Sequence, residues 1–234
     1  MYNFQIWQLK DVPENRDIRF EPYKVLKGHH PEKGRYECVY EEKEVGNTPF
    51  PQLEAIFTDF QHDSNPPAEF KGHSLSVSDV VVISLYKGTY VAFYCDSFGF
   101  RLTSWEDEKP KKYTTETLVQ EAYTAAVAQG YMDEWLKIED YFSGSYNPVP
   151  VNDMEFDPIC YPGYGGSEGI YVDCHLKGRI DSSKESKMVH IGTFKTLNTD
   201  LDAMITAGKV AGIMTAMICD IVNANWDSFC PEKE

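Results

Sequence analysis

The chain is short of positive charge. Its 22 Lys and Arg residues face 37 Asp and Glu, a net charge of −15 at neutral pH with histidine uncharged. Nucleic acid backbones and anionic membranes are gripped through Lys and Arg, so direct binding to either is not expected. No stretch reads as the ~20 apolar residues that a spanning helix needs, and no membrane segment is expected. The amino-terminal MYNFQIWQLKD lacks the basic start and apolar run of a secretory signal, which makes the cytoplasm the expected location. Cys38, Cys95, Cys160, Cys174, Cys219 and Cys230 are scattered, and no two form a Cys-x-x-Cys pair. Reduced, mostly buried thiols fit such a chain better than a disulfide framework, a zinc site or a redox motif.

Three further motifs start and do not finish. Asp153-x-Glu155-x-Asp157 resembles the opening of a calcium loop, but Pro158 stands where the turn glycine belongs and Tyr164 where the bidentate Glu belongs. Gly163-x-Gly165-Gly166-x-x-Gly169 resembles a dinucleotide loop, yet it leads into the strand-like Ile170-Tyr171-Val172-Asp173 instead of a helix. Without a helix N-terminus there is no dipole and no row of free N–H groups for a pyrophosphate. His29-His30 is an adjacent pair on a loop, and zinc requires three or four convergent ligands. No metal and no cofactor is expected.

What is present is globular: 42% hydrophobic and 14% aromatic residues in 234, enough for one large domain or two small ones. The densest apolar stretch is 71–105. Four β-branched residues from Val80 to Ile83 read as a strand buried on both faces. The Lys87-Gly88 turn and a second strand around residues 90–97 make it a hairpin. Ahead of it, Ser74, Ser76 and Ser78 alternate with Leu75 and Val77, and Asp79 closes the series. His73, Ser76, Ser78 and Asp79 could be an acid–base set; turn chemistry, in which short polar side chains bond backbone N–H groups, explains the same residues. Asp96 and Gly99 receive the same structural reading, Gly99 bending a strand away from the sheet.

Phe4 to Leu9 alternates as a strand, and Arg35 to Glu42 reads as a charged edge strand. Leu53, Ile56, Phe57 and Phe60 make one face of a helix opened by Pro51. The expected class is α+β: a small mixed sheet with a central hairpin and a helix over residues 1–110, then a helical and β lobe over 111–234. That second lobe should hold a helix pair, the first capped at Thr114 or Thr115 and the second carrying Trp135, Ile138 and Phe142. A Gly/Tyr-rich β segment follows, and then a long helix from about Thr199 to Asn223. Small residues four apart along that helix (Ala203, Ala207, Ala211; Gly208, Gly212, Ala216) suit tight internal packing or a homodimer.

GHSLSVSDVVVI and YCDSFGF, with FQIWQLK and FPQLEAIFTDF, closely resemble the YodL-like domain family over roughly the first 109 residues. The resemblance implies a small domain of Gram-positive gut-type bacteria, often carried by integrative or conjugative elements. It implies no activity and offers no catalytic residue to transfer.

The leading functional reading is therefore a non-catalytic, mobile-element accessory protein that binds another protein, one that is basic or itself DNA-binding. Residues 133–173 hold nine carboxylates against Lys137, interleaved with aromatics. Asp153, Glu155, Asp157, Tyr161 and Tyr164 are the candidate contact residues, although a solvated acidic loop would look the same. An acidic DNA mimic that inhibits restriction or another defence is the alternative. An enzyme built from His73, Cys95, Asp96, His175 and His190 is the third reading.

Overall fold

The computed structural model describes residues 2–26, 30–45, 53–61, 65–86, 89–105, 111–132, 154–164, 170–197 and 199–230. The chain falls into two compact units, Met1–Lys111 and Lys112–Glu234. Both combine helix and antiparallel sheet, the α+β class expected.

In the first unit, strands β1 (Tyr2–Leu9), β2 (Tyr36–Val45), β3 (Val80–Tyr86), β4 (Thr89–Cys95) and β5 (Phe100–Thr103) accompany one short helix, α1 (Leu53–Asp59). The sheet order is β2-β1-β3-β4-β5. Every neighbouring pair is antiparallel, where a mixed sheet was expected. The long connection from β2 to β3 skips over β1, so the two strands that run the same way are never adjacent. The charged β2 takes an edge, as its sequence suggests. Gly99 does not release the chain from the sheet as expected. Its φ of +71° lets the chain turn back after β4 and add β5.

The β3 run is buried on both faces because each face has its own cover. Leu9, Tyr36, Val80, Val82, Ala92, Tyr94 and Trp105 form one cluster, against which Ile18, Tyr23 and Leu26 of the 13–26 segment pack. The sequence of that segment suits a loop with a short helix, and it contains 3-10 turns at Pro13–Asn15 and Tyr23–Leu26. Tyr23 sets its ring edge-on to Tyr94, whose hydroxyl donates to the Glu21 carbonyl at 2.7 Å. On the opposite face Leu53, Ile56 and Phe60 are buried, and Phe60 meets the rings of Phe4 and Tyr40.

The second unit opens with α2 (Thr115–Ala128), capped at Thr114, one of the two caps its sequence offers, through a reciprocal box with Thr117. A sheet of β6 (Glu155–Tyr164), β7 (Ile170–Arg179) and β8 (Lys187–Lys195) follows, in that order, then α3 (Asp200–Ala224) and the short α4 (Trp226–Phe229). The expected helix at 135–142 lies outside the described residues. Residues 155–164, for which the sequence left a β segment and a solvated acidic loop both open, are a strand. Pro158 and Pro162 obscured it, and both are tolerated because β6 is an edge strand and residues four apart drop their N–H groups on the same side.

Inner-face residues Val172, Cys174, Leu176, Val189, Ile191 and Phe194 are buried. The α2 and α3 helices pack on each other and on the sheet. By length and composition alone α3 could cross a membrane, a property no stretch was expected to have. Its buried residues, among them Val210, Ile213, Met214, Met217 and Ile221, belong instead to the core of this unit.

Two outcomes follow from this packing. A fragment of residues 1–111 made alone should give the circular dichroism and cooperative melt of a folded domain; an unfolded fragment would place the boundary elsewhere. Gly178→Ala should cost about 1–3 kcal/mol by urea unfolding. A Cβ there would sit 2.3 Å from the Phe156 ring and 2.7 Å from the Glu155 carbonyl oxygen, and the backbone contact cannot yield cheaply.

Candidate functional site

The first cluster of polar residues lies where the chain enters β3. Residues 76–79 form a tight turn closed by the Asp79 N–H donating to the Ser76 carbonyl at 3.1 Å. Ser78 occupies its third position with φ +79°, a strained choice for a residue with a Cβ. The Ser78 hydroxyl accepts from the Phe20 N–H at 3.0 Å, which ties down the loop covering the sheet.

Asp79 is 1% exposed. Its Oδ2 accepts from the Ser76 N–H at 2.8 Å and from Gln8 Nε2 at 2.9 Å. Gln8, buried on β1, also accepts from the His73 N–H and donates to the His73 carbonyl. Sequence reading missed Gln8, because a lone glutamine on an alternating strand looks like an outward-facing residue. Burial pushes the Asp79 carboxyl up from 3.8 to about 8, against the lowering effects of Ser76, Gln8 and Arg19.

Of the suspected acid–base set, His73 and Asp79 do meet, with His73 Nε2 3.9 Å from Oδ1. The hydroxyls are committed elsewhere. Ser76 Oγ donates to the Ser74 carbonyl and Ser78 Oγ serves Phe20, so neither bonds to His73. Cys95 is buried and its thiol is pushed well up by that burial, away from the thiolate a nucleophile requires. Asp96 Oδ1 accepts from the Ser97 and Tyr23 N–H groups, holding the β4–β5 turn and the covering loop.

The second cluster lies on the outer face of the second sheet, away from α2 and α3. Asp173 and His175 are two apart on β7 and so share a face. On β8 the pairing runs Asp173↔Thr193 and Cys174↔Gly192, then shifts to His175↔His190. Ile191 is the extra residue of a β-bulge. Unshifted alternation from Thr193 would put His190 on the core side; the bulge turns it outward while Val189, Ile191 and Phe194 remain inside.

The result is a convergent set. His190 Nε2 is 2.8 Å from Asp173 Oδ1, His175 Nε2 is 3.1 Å from Oδ2, and the Thr193 hydroxyl donates to Oδ1 at 3.1 Å. Tyr161, opposite Asp173 on β6, lays its ring edge against His175. The His175 bond, then those of His190 and Thr193, hold the Asp173 carboxyl below its usual 3.8. Neither imidazole was expected to have partners of this kind. Each sits in a separate strand, and only the register of β7 on β8 joins them.

Of the candidate contact residues, Asp153 lies outside the described set, and Tyr164 ends β6 with its side chain also outside. Glu155 and Asp157 are exposed on the same outer face as Tyr161, and Glu155 pairs with Arg179 at 2.8 Å.

The Asp79 carboxyl sets a pH dependence. Its folded pKa lies above the unfolded one, so its contribution to stability is full below about pH 4 and is lost as the pH rises towards 8. Asp79→Asn, which stays neutral, should flatten that decline in melting temperature between pH 5 and 8. Asp79→Ala should instead cost about 1–3 kcal/mol at low pH, where the carboxyl is neutral and buried donors lose their acceptor, and progressively less as the pH rises towards 8. Identical slopes for the native chain and Asp79→Asn would contradict this account.

Among known proteins, no curated protein and no solved structure matches the chain. The family model described as the YodL-like domain matches residues 3–105, a span that includes the hairpin, the Asp79 turn and the Gln8 clamp. The amino-terminal half of this chain is thus a YodL-like domain.

Proposed function

We propose that the protein is a cytoplasmic, non-catalytic accessory factor of a mobile element that works by binding another protein, and that the partner docks on the amino-terminal half of α3. The mobile-element setting follows the YodL-like resemblance. The docking surface rests on one observation. Leu197, Leu201, Met204 and Ile205 are 67%, 66%, 73% and 48% exposed. Leu201, Met204 and Ile205 are three and four residues apart, hence on one helical face. One turn on, Gly208 has nothing within 4 Å of where a Cβ would stand, which continues the face as a flat strip. Large apolar side chains grouped in water mark interaction surfaces.

Charge selects among occupants. Asp200 and Asp202 stand in the first turn of α3, and the whole chain carries −15. A partner with an apolar contact ringed by Lys and Arg is favoured over a second copy, which would bring like charges together. The DNA-mimic alternative has less support, because Glu155 in the proposed carboxylate row is already paired with Arg179.

The test is affinity capture from host extract with the native chain and with Leu201→Ser/Met204→Ser. The double substitution should abolish capture of the partner and leave the melting temperature unchanged, because both side chains are already in water. Equal capture by the two chains would refute docking on α3. Displacement of the partner by duplex DNA would favour the mimic, and a concentration-dependent dimer lost in the variant would favour self-association.

A further inference from the structure

We propose that the outer face of the second sheet binds a divalent transition-metal ion through Asp173, His175 and His190. One ligand atom from each residue lies within 4.8 Å of the others. The two closest separations, 2.8 Å and 3.1 Å, approach those of neighbouring ligands around one ion bound at about 2.0–2.2 Å. The backbone already supplies the alignment, since His175 and His190 are direct cross-strand partners and Asp173 is two residues along the same strand.

The donor set names the class of ion. Two imidazole nitrogens and one carboxylate suit Zn2+ and its first-row neighbours, while Ca2+ and Mg2+ prefer oxygen throughout. Three protein ligands on a partly exposed face leave at least one coordination position open to water or to a group brought by a partner. In the metal-free form Asp173 can only accept, so both Nε2 atoms carry the protons of its two imidazole bonds. On binding, each imidazole gives up its Nε2 proton to water, carries its single proton on Nδ1 instead and presents Nε2 to the ion. Asp173 supplies the one carboxylate of the set.

A purely structural account would treat the bulge and the three side chains as hydrogen-bonded decoration of a strand pair. The bulge argues otherwise. It interrupts the alternation at the place that moves His190 from the core side to the outer side, and bulges that re-aim a side chain concentrate beside functional sites.

The experiment is calorimetric titration of Zn2+ into the untagged full chain, previously treated with chelator, with Ca2+ and Mg2+ as competitors. A single ion should bind per chain and resist both competitors. His175→Ala and His190→Ala should each weaken binding by at least the about 10–100-fold seen for loss of outer-shell partners alone. His30→Ala, in the first unit, should leave it unchanged. Thr193→His adds a third imidazole beside Asp173 and should tighten binding, a gain that misfolding cannot mimic. Binding that is indifferent to the His175 and His190 changes, that falls equally with His30→Ala, or that fails to tighten with Thr193→His, would overturn the assignment.

Discussion

Holding the Asp79 carboxyl out of water is the constraint on which the first unit depends. An isolated buried carboxyl is costly, and the surrounding groups are arranged around that cost. Ser76 gives its backbone N–H, and Gln8 reaches across from β1 with its amide. In return the turn fixes where β3 begins, and Cys95 on β4 bonds back to it through the Asp79 carbonyl at 2.8 Å. Three strands and the connection from α1 are thereby set at one point, with the Phe60 carbonyl accepting from the Leu75 N–H. The residues that looked like an acid–base set form instead a polar joint within an apolar core.

The second unit solves a different problem. A three-stranded sheet with helices on one face leaves the other face to water, and this one carries Glu155, Asp157, Tyr161, Asp173, His175 and His190 there. Its inner face alternates cleanly along β7, with Val172, Cys174 and Leu176 buried. On β8 that alternation breaks at the bulge. The same shift that keeps Ile191 in the core also brings two histidines and an aspartate into contact. Core packing and outer-face chemistry are coupled there, because one register serves both.

The apolar face of α3 has a separate origin. Toward its carboxyl end the helix is wrapped by its own unit, with Ile213 to Val222 almost wholly buried. Toward its amino end the same apolar composition runs past the sheet and into solvent. Composition therefore made α3 long and hydrophobic throughout, and packing used only part of it.

Local pattern was enough to specify the hairpin, the amphipathic face of α1, a cap at Thr114 or Thr115 for α2 and the approximate extent of α3. Each of these depends on periodicity or on bonds between residues close in sequence. The YodL-like character was legible for a similar reason, being carried by short contiguous motifs such as GHSLSVSDVVVI and YCDSFGF. Three features were not legible: that Gln8 is buried 71 residues from the Asp79 it serves, that a strand bearing Pro158 and Pro162 takes a sheet edge, and that His175 meets His190. Each is a pairing between distant segments. Register and sheet order are set by the sum of core contacts rather than by any residue's own preference, and only the folded chain adds that sum.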